Sequence, residues 1–279
     1  MTESIAANPW RARAFSRFAA IELAAAAIAC AGALFFPLGP LLALAFWEIG
    51  PLVALVIAAA WVASGLIVVV PTISEPVVTW LVGARTPTPD ELARLGPAWD
   101  DVCRASAIDP HSFVLRVLPC PPPSPEVPWY VNACAAGSNV VGVTEDALVL
   151  LEDGELASLL AHELGHHAGF DAVPRGVAAW YLGLLEALLR PLAPFAGIWL
   201  RAIYVPILFV MALTSRPCEF AADAFAARLG YGSQLRQLLL RLGANDAASL
   251  TAAILASHPA TADRVRRLDA ARFRASATT

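Results

Sequence analysis

A mainly α-helical fold with a small antiparallel β-sheet, part of it set in a lipid bilayer, is what this 279-residue chain predicts, on three observations. Apolar residues make up 58% of it and charged residues 15%, so a wholly water-soluble fold of this length would have too little polar surface. Two long apolar stretches are interrupted only by scattered Pro, Gly and charged residues. Between and after them apolar residues recur mostly at helical spacing, with a few short runs of strand character. A net charge of −4 offers no basic surface, which excludes a nucleic-acid partner.

Taken in order, the first apolar region runs from Ala19 to Val70 with only Glu22 and Glu48 charged, and its length suits two spans of about 20 residues. A turn at Trp47-Glu48-Ile49-Gly50-Pro51 leaves Leu52 to Val70 as the second span; Pro37 and Pro40 then fall inside the first, which membrane helices tolerate. Arg11, Arg13 and Arg17 precede the hairpin, Arg85, Arg94 and Arg104 follow it, and its turn has no basic residue. Both ends are therefore expected in the cytoplasm, in a multi-pass inner-membrane protein. No polar region follows the first apolar run, so a cleaved leader is not expected. The second apolar region, Gly176 to Thr214, is broken by Arg190-Pro191, Pro194 and Arg201. Val177 to Leu189 is only about 13 residues, closer to a buried or re-entrant helix than to a full span.

Between these regions, Thr88-Pro89-Asp90-Glu91 is a capping box with Pro at the first helical position, opening a helix to about Ala107. Phe113 to Leu118, Trp129 to Ala133 and Asn139 to Val143 predict short strands, separated by the Pro-rich loop Pro119 to Pro128. A helix follows from Asp153, which can cap it, to Gly169, with Leu156, Leu160 and Leu164 at helical spacing.

That helix carries His162-Glu163-Leu164-Gly165-His166. Positions i and i+4 share a face, so the two imidazoles can close on one zinc ion with Glu163 toward the metal's open site. His167 points about 100° away and is read as structural or solvent-facing. Further on, Glu219 and Asp223 lie one turn apart on a helix that Ser215 and Pro217 begin and Gly230 ends. Their neighbours are Phe220, Ala221, Ala222, Ala224, Phe225 and Ala226, and unpaired carboxylates in such surroundings are costly. Glu219 can supply the third zinc ligand, while Asp223 hydrogen-bonds the distal nitrogen of a zinc-bound histidine.

Together, His162-Glu163-x-x-His166, Glu219-x-x-x-Asp223 and Ser257-His258-Pro259 with Arg264 and Leu268 resemble the HtpX-type membrane zinc endopeptidases, relatives of the CAAX prenyl peptidases and of mitochondrial inner-membrane quality-control peptidases. Asn132-Ala133-Cys134-Ala135 and Val140 to Thr144 resemble that family's upstream segments, although Cys134 stands where an aromatic residue is usual. The similarity covers roughly Leu92 to Leu268. It implies an integral membrane zincin-type metallopeptidase domain, a second hairpin within 176–214, and a substrate-pairing strand edge at Ala136 to Val143; an ordinary paired strand is the other reading of that segment.

The expected organisation is a membrane hairpin over 1–72, a catalytic part over 73–175, the second apolar hairpin over 176–214 and a helical C-terminal part over 215–279. One Zn2+ per chain is expected on His162, His166 and Glu219. Zinc supplies Lewis acidity toward water and the scissile carbonyl, and Glu163 takes the attacking water's proton and passes it to the leaving amine. The oxyanion donor is left open between His258, Arg264 and a backbone N–H near Ala136; His258 can instead cap or pack, and Arg264 can instead be a helix-surface cation. The partners are polypeptide substrates and the bilayer, and the oligomeric state is not legible. The function expected is proteolytic quality control of membrane or misfolded proteins. A regulatory sensor peptidase and a non-enzymatic scaffold with structural zinc are the alternatives. Glu163 discriminates against the scaffold, because a structural site has no use for it. The five cysteines include no CxxC pair and imply no disulfide framework.

Overall fold

The computed structural model describes residues 48, 50–65, 70–122, 130–169, 172–173, 176–177, 180, 216–242 and 259–276. Helices α1 (Pro51–Ser64) and α2 (Pro71–Leu81) come first, then α3 (Pro89–Ser106), a 3-10 turn at Pro110–Ser112 and strand β1 (Val114–Leu118). Strands β2 (Ala133–Ala136) and β3 (Val140–Thr144) lead into α4 (Glu145–Leu150) and α5 (Asp153–Gly169). The helical residues 216–228 form α6, followed by α7 (Gly232–Leu242) and α8 (Thr261–Ser276).

Helix α5 is the axis of the fold. Leu156, Leu160 and Leu164 are fully buried, and α3, α7 and the sheet pack around it with Leu95, Trp99, Val102, Val117, Val141, Val143, Leu235 and Leu238. A buried leucine of this kind contributes about 2–5 kcal/mol against truncation to alanine, so the helix that carries the histidines is the best anchored element here. Glu152, not Asp153, precedes the first turn: its backbone N–H donates to Glu155 at 3.1 Å, while the Asp153 side chain stays exposed. The capping box of α3 forms as its sequence predicts, with Thr88 and Glu91 bonded reciprocally and Ala107 closing the helix.

The sheet corrects one expectation, because it is mixed rather than antiparallel. Its order is β1-β3-β2: β2 and β3 form an antiparallel hairpin, and β1 runs parallel to β3 on the other side. The connection between β1 and β2 spans 119–132, long enough to carry the chain past the place that β3 then fills. Strand β2 also lies further along than Trp129 to Ala133, because the three-residue turn at 137–139 centres the hairpin and Thr144 pins Asn132 just outside it. In the last strand Val140, Val141 and Val143 are all buried.

The expected single span from Leu52 to Val70 is not one helix. Helix α1 ends at Ser64 with a turn at Gly65, and Pro71, which disfavours helical geometry in the residue before it, opens α2. Among the described residues, no helix is long and apolar enough to cross a membrane. The first expected span and most of the second apolar region lie outside the described residues.

Candidate metal centre

Three helices bring the site together. Helix α5 presents His162 and His166, α6 presents Glu219 and Asp223, and α8 presents Arg264. All five are buried, and Glu219 has no exposed surface at all. Gly230 at φ 97° follows the end of α6, its N–H donating to Ala227, and α7 packs against α8.

The donor atoms converge. Nε2 of His166 lies 3.2 Å from Nε2 of His162, and the two oxygens of Glu219 lie 3.3 Å from each imidazole in turn. Ligands bonded to zinc at about 2.0–2.1 Å with tetrahedral angles stand about 3.3–3.4 Å apart; the imidazole pair has that spacing, and one donor atom of each of the three residues lies within 4.8 Å of the others. A nitrogen–nitrogen–oxygen set of this kind suits zinc in a site that keeps a further position open. Among the described residues, these three are the group able to hold a metal ion.

Behind the donors stands a chain of charge. Asp223 Oδ1 accepts from Nδ1 of His162 at 2.9 Å, which fixes the ring and turns Nε2 toward Glu219. Arg264 grips the same carboxylate in two places, Nη2 to Oδ1 at 2.6 Å and Nε to Oδ2 at 2.8 Å, and its Nη1 lies 3.8 Å from Glu219. Burial works to raise the Asp223 carboxyl, but the hydrogen bonds from Arg264 and His162 outweigh it and hold the pKa at about 2. Burial likewise disfavours charge on His162, and the bonds to Asp223 and Glu219 carry its pKa above the ordinary histidine value.

Arg264 is therefore buried rather than a surface cation, and its Nε and Nη2 bond Asp223. The signal for its burial lay in helical phase, since Thr261, Arg264, Val265 and Leu268 share one face of α8 and the last two are core residues. His258 lies outside the described residues. Glu163 is buried beside the ligands on α5, and among the described residues its carboxylate makes no hydrogen bond or ion pair. His167 takes the structural option: its Nε2 donates to the Val140 carbonyl at 2.9 Å and its ring meets Phe113 edge-on. The Cys134 thiol is pushed up to about 12, first by burial and then by the charge of Glu163, so it is a poor nucleophile.

Strand pairing decides where an extended peptide can lie. β3 is bonded on both sides, which removes most of the Ala136 to Val143 segment as an open edge. Among the described residues β1 and β2 are both edge strands; β1 carries an isolated bridge from Val117 to Arg85, and β2 is the edge that packs directly against α5.

An HExxH helix beside an edge strand, with a third donor arriving from a later helix, is the arrangement of a metallopeptidase-type domain. The chain belongs to peptidase family M48, whose model matches residues 123–272, more than half of its length. Similar proteins include the protease HtpX homolog of Salinibacter ruber, 32% identical over 162 residues, with 50% of this chain and 59% of that protein covered. The HtpX homolog of Desulfatibacillum aliphaticivorans is 32% identical over 186 residues, with coverage of 50% and 60%. The chain thus spans about six-tenths of the length of these relatives. A crystal structure of S. mikatae Ste24p superposes with a TM-score of 0.48 at 17% identity, covering 88% of this chain and 65% of that one.

Proposed function

We propose that the chain is a membrane-bound, zinc-dependent endopeptidase. The observation that carries this reading is the convergence of His162, His166 and Glu219, three buried donors from two helices. When bound there, zinc would supply Lewis acidity toward a water and the scissile carbonyl. The remaining work falls to the chain itself. The free edge of β2 pairs with the backbone of an extended substrate, which favours sequence-tolerant cleavage. Glu163 holds the water's proton on a carboxylate oxygen and delivers it to the leaving amine. Asp223, fixed by Arg264, keeps the Nδ1 proton on His162, so that imidazole is a ligand rather than a base.

Membrane attachment is supported by composition and by α1, where Leu52, Leu55 and Val56 are 72%, 66% and 60% exposed; a patch of that kind needs an apolar neighbour. With 1–72 and 176–214 as the membrane parts and 73–175 and 215–279 as the site-bearing parts, the positive-inside pattern puts the site on the cytoplasmic side. Damaged or misfolded polypeptides that reach this face are the substrates inferred.

The test is metal content together with casein or self-cleavage by purified chain, beside a Glu163→Gln variant. Glu163→Gln should retain zinc and fold while losing nearly all hydrolysis. Turnover unchanged in that variant, or no bound zinc in the unaltered chain, would sink the reading.

A further inference from the structure

In a helix, residues i, i+3 and i+4 share a face, so His162, Gly165 and His166 form one triple on α5, and Glu219, Ala222 and Asp223 form its counterpart on α6. The two triples meet at their smallest members. A β-carbon built on Gly165 would stand 2.8 Å from the Ala222 Cα, 3.1 Å from its Cβ and 3.2 Å from its carbonyl oxygen. The first and last of these are backbone atoms, which no change of rotamer can move aside. Gly96 of α3 is unlike it, because a β-carbon there meets nothing within 4 Å.

On the reading of His162, His166 and Glu219 as zinc ligands, we propose that Gly165 is a positioning residue: its missing side chain sets the separation of α5 and α6 and so the reach of Glu219 to both imidazoles. Ordinary contact begins at 3.4 Å, so a side chain at Gly165 would drive α6 back by about 0.6 Å. Metal sites tolerate only about 0.2 Å in their bond lengths, and Glu219 lies one turn from the point of contact. The shift is about three times what the site can absorb. Helix propensity pulls the other way, because alanine suits a helix interior better than glycine. The glycine in this helix is thus matched to the neighbour rather than to the helix itself.

The experiment measures zinc affinity by chelator competition on the purified 279-residue chain, with thermal unfolding of the metal-free form alongside. Gly165→Ala should weaken zinc tenfold or more, the scale of losses around a metal site, while Gly96→Ala leaves it unchanged. In a Glu219→Ala background, Gly165→Ala should bring no further loss, because its effect passes through Glu219. Adding Ala222→Gly to Gly165→Ala removes one of the clashing atoms and should recover part of the affinity. Wild-type zinc affinity in Gly165→Ala overturns the proposal, and so does an equal loss with and without Glu219. If both Gly165→Ala and its combination with Ala222→Gly fail to fold, the glycine serves the fold at large and the proposal falls. An unaltered chain that binds no zinc removes the ligand reading itself, a result distinct from any of these.

Discussion

Two arginines each hold carboxylates by paired hydrogen bonds, and they do opposite things. Arg85 bonds Glu91 through two contacts of 2.7 Å and Glu145 at 2.8 Å, with side chains 42%, 21% and 46% exposed. Arg264 bonds Asp223 at 2.6 and 2.8 Å, with side chains 9% and 3% exposed. The bond lengths are nearly the same, so geometry alone does not separate them. Burial does. In water the Arg85 cluster gains little over its hydrated parts, whereas Arg264 and Asp223 have both lost hydration and rely on each other. The exposed cluster ties α3 to α4 near the surface; the buried one fixes the orientation of a histidine at the site.

The comparison is broken most severely by removing one half of the buried pair. Arg264→Ala leaves the Asp223 charge buried and should destabilise the chain by about 3–5 kcal/mol, read as a lowered unfolding midpoint. Replacing both partners with apolar residues, Arg264→Met with Asp223→Leu, should restore most of that stability without restoring tight zinc binding. A double variant with wild-type zinc affinity would mean that the pair does nothing for His162.

Asp223→Ala comes next. It should weaken zinc ten- to hundredfold, less than Glu219→Ala or His162→Ala, which are expected to match each other in the affinity they lose. Chelator competition on the three variants ranks them, and full zinc retention in Glu219→Ala would remove that residue from the ligand set.

The exposed cluster gives the smallest effects. Arg85→Ala should change stability by less than about 1 kcal/mol, and added salt should shrink the difference. Its pH signature is specific. Hydrogen bonds from Arg85, opposed by desolvation, hold Glu91 at about 2 against an ordinary value of 4.5. A carboxylate with a depressed folded pKa stabilises fully above its unfolded value, so this contribution should be complete above about pH 4.5 and fade as pH falls toward 2. Arg85→Ala should flatten the stability profile across that window, and an unchanged slope there would show that the Glu91 shift has another source.

How much of this was legible in the chain varies by element, for physical reasons. Helix α5 was readable to its boundaries because Leu156, Leu160 and Leu164 repeat at the helical period, and α3 because Thr88 and Glu91 satisfy each other locally. Glu219 and Asp223 were readable because two acids sit within an apolar run. Strand order was not: that β3 lies between β1 and β2 depends on pairing between residues 26 apart, such as Val114 with Val140, and no local pattern encodes it. The same holds for the pairing of Arg264 with Asp223, 41 residues away, though its burial followed helical phase, and for Gly165, whose meaning lies wholly in the helix opposite.

The spacing of the donors along the chain also fixes an order of events during synthesis. His162 and His166 leave the ribosome together, Glu219 follows 53 residues after His166, and Arg264 comes 45 after that. At about 5–20 residues per second, the histidines wait roughly 3–10 s for the third donor. On the zinc reading, a chain in that interval carries two ligands and no closed site. On that reading the site closes only once helix α6 has been made, so the histidine helix by itself holds an incomplete ligand set.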